Sequence, residues 1–280
     1  MRRDENCGET QGYIGELTKK ERASATIEKY VREIERLQLF LAGREPEKEL
    51  LLEYRQRLCG ENQRPQTVNG KISAINGYLK SIGHAECCLQ LLRVQRSAFV
   101  DEDRELSQAE YERLLAAAQD RKRLRLRLVI ETICATGIRV SELRCITAEA
   151  VRAGRAQIRL KGKIRVILLP KQLRKKLDRY IREKGIREGA VFCTRSGRPL
   201  DRSNIWRDMK RLAKQARVSE SKVFPHNLRH LFARIYFALE KNLAHLADIL
   251  GHSSIETTRI YVSVSEREHQ KTLAKMKLVI

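Results

Sequence analysis

The sequence predicts a mainly α-helical protein that carries one small antiparallel sheet. Apolar residues recur at steps of three and four through most of the chain, which is the spacing of one helix face. One stretch differs, because apolar-rich runs at 156–160 and 164–169 flank Lys161-Gly162-Lys163 and predict a β-hairpin. With 280 residues, of which 42% are hydrophobic, the chain is long enough for two modest domains that each have a core.

The charge of the chain is strongly positive. It contains 57 Lys and Arg residues against 35 Asp and Glu residues, which gives a formal net charge of +22. Such an excess predicts a polyanionic partner, since a cationic surface releases condensed counterions when it binds nucleic acid. A surface that serves only solubility, or one that binds an acidic membrane, is the alternative. The sequence shows no basic amphipathic helix beside a membrane anchor, so binding to a membrane is the less favoured interpretation.

Targeting and redox features are consistent with a cytoplasmic protein. No apolar run approaches the roughly 18 residues of a membrane span, and the first ten residues, MRRDENCGET, lack the apolar core of a signal peptide. The seven cysteines are scattered and include no C-x-x-C pair. This argues against a disulfide framework or a zinc knuckle and predicts reduced thiols.

The first part of the chain, residues 16–95, is predicted to be a compact helical bundle preceded by a loose polar tail. Its helices are predicted at Ala25–Leu41, Leu50–Leu58, Pro65–Lys80 and Leu89–Leu92. The third helix also carries polar residues outside its apolar face, namely Asn69, Lys71, Ser73 and Asn76. Such residues suit contacts with phosphates, the alternative being a plain solvated face.

Residues 96–106 have mixed charge and little periodicity, and they are predicted to form a linker to a second domain at 107–280. Ser107 opens a capping box with Glu110, and the helix at Leu124–Ala135 is apolar on most faces and therefore expected to be buried. After the hairpin, a helix is predicted at 172–183, a short strand at Val191–Cys193, and helices from Ser203 to the end of the sequence.

The segment ATGIRVSEL, residues 135–143, is the first candidate functional motif. Gly137 ends the buried helix and Ser141 can cap the next one, so Arg139 is predicted to lie in a turn between two packed helices. An arginine there presents a planar fork that matches phosphate oxygens, and Glu142 could hold it by an ion pair. In isolation an arginine is more often a surface residue.

A second candidate is Lys161, at the tip of the predicted hairpin. A lysine in a β-turn is usually only solvated, but a turn can reach into a groove, where the ammonium group can donate a proton.

The third candidate is the segment Pro225–His230, which begins a helix. His226 and Arg229 are three residues apart and lie on one face of its first turns, where backbone N–H groups favour an anion. His226 and His230 are four residues apart, a spacing that also suits zinc. The glutamate of an H-E-x-x-H motif is absent, however, and Arg229 lies between the histidines, so zinc is disfavoured and His230 is interpreted as a packing residue.

The last candidates follow the helix predicted at Leu243–Leu250. Gly251 ends that helix, His252 lies on the turn, and Ser253 opens a capping box with Glu256. Tyr261 then comes about two turns along the next helix. A single tyrosine at an apolar spacing is far more often a core residue than a nucleophile.

Taken together, the motifs ATGIRVSEL, LKGK, HNLRH and LGHSSIETTRIYV resemble the tyrosine recombinase family, also called phage integrases, and in particular its short, Xer-like members. The resemblance covers nearly the whole chain. It implies that 16–95 is an all-helical, SAM-like core-binding domain for DNA and that 107–280 is a mixed α/β catalytic domain. It also implies a catalytic set, none of which is substituted, composed of Arg139, Lys161, His226, Arg229, His252 and Tyr261. Lys163 is the alternative to Lys161.

The resemblance further implies a function. The family cuts and rejoins double-stranded DNA through a 3′-phosphotyrosyl intermediate, without a metal or other cofactor. Its two domains clamp the duplex, and four protomers assemble on two DNA sites by exchanging an apolar C-terminal tail, here 262–280. The alternative for this tail is that it folds back on its own domain. Two alternatives stay open: a non-catalytic DNA-binding protein and a type IB topoisomerase. Whether the recombinase would act as an integrase, a resolvase or an integron-type enzyme is also open.

Overall fold

The computed structural model describes residues 2–94, 102–120, 123–160, 163–194, 196–252, 254–262, 270 and 274–276. The fold is mainly helical and includes one two-stranded antiparallel sheet, as the sequence predicts. The chain divides into two compact units, Met1–Arg96 and Ser97–Ile280. Within the described residues, no helix is both long and apolar enough to cross a membrane.

The first unit is a bundle of four helices. They are α1 (Arg2–Lys19), α2 (Ser24–Leu41), α3 (Lys48–Gly60) and α4 (Pro65–Ser81), followed by a 3-10 turn at Ala85–Cys87. Pro65 is at the first position of α4, where its missing N–H costs no hydrogen bond. Each helix turns its apolar residues to a shared core that includes Ile34, Leu37, Leu51, Leu58, Ile72, Ile75 and Leu79.

The loose tail that was expected at residues 1–15 is wrong, because residues 2–15 belong to α1. Tyr13 and Leu17, four residues apart, are buried in the core of the bundle. Three glycines and many polar residues in the segment lower its helix propensity, so tertiary packing and not local preference stabilises this helix.

The polar residues of α4 hold their own unit together. Asn69 pairs with the backbone of Leu92, donating to its carbonyl oxygen at 2.9 Å and accepting from its N–H at 2.7 Å. Asn76 binds Leu89 in the same way, with both distances 2.8 Å. Residues 88–94 have no regular secondary structure, so the short helix predicted at Leu89–Leu92 is wrong. Lys71 is buried and pairs with Glu61, so it is not the phosphate contact that was expected.

The second unit surrounds a larger core. Its helices are α5 (Gln108–Ala117), α6 (Leu124–Thr136), α7 (Ala148–Ala153), α8 (Lys171–Lys184), α9 (Arg202–Gln215), α10 (Pro225–Glu240), α11 (Leu243–Leu250) and α12 (Ile255–Val262), with a 3-10 helix at Val140–Cys145. The capping box of Ser107 and Glu110 at the start of α5 is confirmed. α6 runs through the core, as its apolar faces predict, and α10 packs against it.

The sheet is a hairpin of β1 (Arg155–Leu160) and β2 (Lys163–Leu168), with Ala156 opposite Ile167 and Ile158 opposite Arg165. The third strand predicted at Val191–Cys193 is not formed. The segment makes one isolated bridge, between Cys193 and Pro199, and the preceding residue Ala190 makes another with Thr147. Val191 and Phe192 are apolar because they enter the core.

The end of the predicted linker packs within the second unit. Leu106 is buried in its core, and the carbonyl oxygen of Arg104 accepts a hydrogen bond from Asn227 at 2.9 Å. Asn227 is the third residue of α10, the helix that carries two of the candidate histidines. Residues 104–106 therefore help to fix the start of this helix.

Candidate active site

Two helix ends of the second unit, each closed by a glycine, form the centre of the site. α6 ends at Gly137 and α11 at Gly251, and both glycines adopt a positive φ of 64°. A side chain at Gly137 would overlap Phe232, and one at Gly251 would place its Cβ 2.7 Å from Cδ of Arg165. Only glycine fits either position without strain, and the two turns can therefore lie close to their neighbours.

Arg139 follows the first of these turns and is held by Glu142. Its backbone N–H donates to Glu142 Oε2 at 2.7 Å, and its Nη1 donates to Oε1 at 3.1 Å, which confirms the expected ion pair. Its Nη2 lies 3.4 Å from the carbonyl oxygen of Gly251. The side chain keeps 34% of its surface exposed while that of Glu142 keeps 5%. An arginine held in this way still presents part of its guanidinium to a ligand.

Arg229 ties the two helix ends together from the first turns of α10. It is 1% exposed. Its Nη1 donates to the carbonyl oxygen of Gly137 at 2.5 Å, and its Nη2 donates to that of Leu250 at 2.7 Å. The same Nη2 lies 2.9 Å from Nε2 of His252. Arg229 and His252, which are 23 residues apart, thus meet directly.

His252 is held from both ring nitrogens. Besides the contact of Nε2 with Arg229, its Nδ1 lies 2.8 Å from Oγ1 of Thr258 on α12. Burial lowers the pKa of His252 to about 4, and the positive charges of Arg229 and Arg139 act in the same direction. The imidazole is therefore neutral at physiological pH.

His226 and His230 pack against each other on α10, with ring centroids 4.7 Å apart and the rings edge to face. Burial lowers the pKa of His226, and the charges of Arg229, Arg139 and Arg202 lower it further. Burial also lowers the pKa of His230 to about 4. Neutral His226, close to the arginines, suits a proton acceptor. The arginine charge that lowers its pKa also disfavours a bound cation.

Arg165 is a member of this cluster that the sequence patterns did not indicate. Its Nη2 donates to Glu142 Oε2 at 2.5 Å, and its Nη1 donates to the carbonyl oxygen of Ile249 at 2.6 Å. Burial lowers the pKa of its guanidinium, an effect that the charge of Glu142 opposes. Glu142 thus binds two arginines, and Arg165 connects β2 to the turn that carries Gly251.

The structure brings Arg139, Arg229 and His252 together through described contacts. His226 is close enough to the two arginines for their charges to lower its pKa. Tyr261 is in the last turn of α12, but its side chain is outside the described part of the chain. Lys161 lies outside the described residues altogether, as does Ser253 of the expected capping box. The expected docking tail at 262–280 does as well, apart from residues 262, 270 and 274–276.

One group of possible metal ligands occurs among the described residues, in the first unit. Atoms of His84, Glu86 and Cys87 that could bind a metal lie within 4.8 Å of one another. The Cys87 thiol donates to the carbonyl oxygen of Pro46 at 3.2 Å, and burial raises its pKa. Since metals bind the thiolate, this environment favours a packing role for Cys87.

The two most shifted histidines predict a pH dependence of stability. In the unfolded chain His230 and His252 take up protons below pH 6.5, whereas in the folded chain they do so only near pH 4. The unfolded state therefore binds more protons in this window, and the free energy of unfolding should fall as the pH is lowered from 6.5 to 4. Urea unfolding at a series of pH values measures this slope.

The matched variant for this measurement is His230→Gln, which should show a shallower slope between pH 6.5 and 4. An equal slope in wild type and variant would contradict the assigned burial of His230.

The site combines two arginines with a neutral histidine that is held between Arg229 and Thr258, and it lies beside a helix start. Groups of this kind match the oxygens of a phosphate, and they occur here in a strongly basic, mainly helical protein. A model of the phage integrase family matches residues 104–268. The chain belongs to this family, whose members are tyrosine recombinases.

Relatives and solved structures agree with this assignment. The chain is 34% identical over 183 residues to Tyrosine recombinase XerD of Xanthomonas axonopodis pv. citri (strain 306), a match that covers 59% of this chain and 60% of the relative. It is 30% identical over 181 residues to Tyrosine recombinase XerA of Thermococcus kodakarensis, covering 62% of this chain and 63% of that one. The match thus spans about 60% of the length of these curated relatives.

Solved structures share the fold. XerH site-specific recombinase bound to a palindromic difH substrate aligns with a TM-score of 0.74 at 21% identity, over 89% of this chain and 79% of that one. A lambda integrase (75–356) dimer bound to a COC′ core site aligns with a TM-score of 0.74 at 18% identity, over 93% of this chain and 96% of that one.

Proposed function

We propose that this protein is a tyrosine-type site-specific recombinase that cuts and rejoins double-stranded DNA through a 3′-phosphotyrosyl intermediate. The observation that carries the proposal is the joining of Arg139, Arg229 and His252 at the ends of α6 and α11. The helix that carries Tyr261 is linked to this group through Thr258. Family membership and relatives that are tyrosine recombinases support the same function.

In the proposed reaction, the Tyr261 oxygen attacks phosphorus. A bond between the tyrosine oxygen and phosphorus forms, and the bond to the 5′-oxygen breaks. A free phenol has a pKa of about 10 and is a weak nucleophile at neutral pH, so it needs a base. His226, whose pKa is lowered, is neutral and takes the phenolic proton. The phosphodiester energy is kept in the new bond, and religation needs no ATP.

The remaining residues of the set stabilise the transition state. Charge develops on the non-bridging oxygens during phosphoryl transfer, and Arg139 and Arg229 bind these oxygens while His252 donates a further hydrogen bond. Lys161 supplies the proton that the leaving 5′-oxygen needs. The preorganisation of both arginines by Glu142 and by backbone carbonyls means that they are in place before DNA binds.

The proposal includes the organisation of the whole protein. Residues 16–95 would bind the duplex as a core-binding domain, joined by a linker at 96–106 to the catalytic domain at 107–280. The net charge of +22 supports DNA as the partner. Four protomers would assemble on two DNA sites in the cytoplasm and exchange their C-terminal tails. Solved relatives of the same fold include a recombinase and an integrase dimer bound to DNA.

A covalent-trapping experiment tests the proposed function. Duplexes are first selected by the purified protein from a randomised pool and are then nicked at successive positions, so that the freed 5′-hydroxyl fragment diffuses away. We expect a covalent adduct that survives denaturing gel electrophoresis and that mass spectrometry maps to Tyr261. Tight DNA binding without any adduct would favour a non-catalytic regulator. Relaxation of supercoiled plasmid without exchange between two sites would favour a topoisomerase.

A further inference from the structure

Thr258 is a buried residue of α12 that contacts the site without belonging to the expected catalytic set. It is fully buried, whereas its neighbour Thr257 is exposed. Its hydroxyl lies 2.8 Å from Nδ1 of His252. It also precedes Tyr261 by three residues, which places the two residues on neighbouring turns of one side of the helix. Thr258 is therefore the described link between His252 and the helix of the proposed nucleophile.

The contacts of the two ring nitrogens of His252 with Arg229 and Thr258 indicate where its proton lies. The guanidinium nitrogen of Arg229 is a donor without a lone pair, so Nε2 of a neutral His252 must accept from it. A neutral imidazole carries one proton, which then belongs to Nδ1 and is donated to the Thr258 hydroxyl oxygen. In the protein without DNA, Nε2 thus offers a lone pair toward Arg229.

This arrangement differs from the one that the proposed reaction requires. To donate a hydrogen bond to a phosphate oxygen, His252 needs a proton on Nε2. If the ring stays neutral, Nδ1 gives up its proton and Nε2 gains one, with no net change in charge. The phosphate oxygen then replaces Nε2 as the acceptor for Arg229 Nη2–H and also accepts from Nε2–H, so that the two donors no longer face each other. Nδ1 then becomes an acceptor. A threonine hydroxyl can partner both forms, because it accepts from Nδ1–H in the first and donates to bare Nδ1 in the second.

We propose that Thr258 is a positioning residue that holds the His252 ring in place while its proton moves from Nδ1 to Nε2 as the phosphate binds. The catalytic part of this inference rests on the proposed function; the tautomer in the free protein does not. The hydroxyl is the required group, so serine should replace threonine and valine, which has nearly the same shape, should not.

The experiment compares Thr258→Val, Thr258→Ser and the matched control Thr257→Val. Nitrogen-15 NMR of the full protein, labelled at histidine and assigned with His252→Gln, reports the tautomer of His252 without DNA. We expect Nδ1–H in the wild type, in Thr258→Ser and in Thr257→Val, and a mixture of tautomers in Thr258→Val. Thermal melting followed by circular dichroism verifies that each variant is folded.

Single-turnover cleavage of the selected nicked duplex supplies the second measurement. Thr258→Val should slow cleavage by roughly 10- to 100-fold, the size known for loss of a partner that orients a metal-binding histidine. DNA affinity should change little, and Thr258→Ser should restore cleavage. Unchanged cleavage and an unchanged tautomer in Thr258→Val would overturn the inference, as would equal slowing in Thr257→Val. If the wild type forms no adduct, the proposed function fails and the NMR result alone decides the role of Thr258.

Discussion

Replacing Tyr261 with phenylalanine is expected to abolish the covalent adduct and strand cleavage while leaving DNA binding nearly unchanged. The substitution removes only the phenolic oxygen, which the proposed reaction uses to attack phosphorus. Loss of a nucleophile of this kind lowers the rate by a factor on the order of 10⁶, so no adduct should be detectable. The measurement is covalent trapping on the selected nicked duplex, with affinity determined in parallel by a gel-shift titration.

Tyr236→Phe is the matched control for this variant. Tyr236 belongs to the same unit, and its hydroxyl lies 3.0 Å from Nδ1 of His245, outside the cluster around Arg229. We expect it to form adduct at the wild-type rate. An adduct that persists in Tyr261→Phe would show that another residue attacks phosphorus and would remove the central assignment.

The second large effect is expected for Arg229→Ala, which should impair both stability and cleavage. The variant leaves a cavity and deprives the carbonyl oxygens of Gly137 and Leu250 of their donor. Unmade buried hydrogen bonds cost about 1–3 kcal/mol each, and a cavity adds to this cost. Part of this cost is offset, because the variant no longer buries a charged group. We therefore expect the free energy of unfolding to fall by about 2–5 kcal/mol. Urea unfolding measures the change.

Cleavage by Arg229→Ala should fall by about 10²–10³ or more, as when a preorganised donor to a developing oxyanion is removed. Arg229→Lys keeps the charge but lacks the planar fork that reaches both carbonyls, so it should also be impaired. The control is Arg182→Ala on α8, whose arginine side chain is 75% exposed. That change should alter stability by no more than about 0.5 kcal/mol. Wild-type cleavage in both Arg229 variants would refute its proposed role.

The parts of the site that could be predicted from the sequence depend on local geometry. The ion pair of Arg139 with Glu142 spans three residues, and the glycine ends of α6 and α11 follow from helix-capping rules, so each could be read from a short segment. The contacts of Arg165 with Glu142 and Ile249 could not be predicted in this way. They join residues 23 and 84 positions apart, and the hairpin pattern alone does not tell which face of β2 is buried.

The errors in the first unit have a similar origin. The segment around Leu89 and Leu92 has helix-forming residues, but Asn69 and Asn76 bind its backbone groups, which then cannot form helical hydrogen bonds. Residues 2–19 have low helix propensity but are helical, because Tyr13 and Leu17 reach a core supplied by other segments. Tertiary contacts thus overrode local preference in both directions.

The two carbonyl groups that bind Arg229 also have an electrostatic consequence. They belong to the C-terminal ends of α6 and α11, where the aligned peptide dipoles of a helix sum to roughly half a negative charge. The guanidinium is thus partly neutralised by fixed dipoles, which carry less negative charge than carboxylates and repel an incoming phosphate less. Unlike a mobile counterion, these dipoles need not leave when DNA arrives. The site can therefore bury a cation in the free protein and still attract the anion on which it is proposed to act.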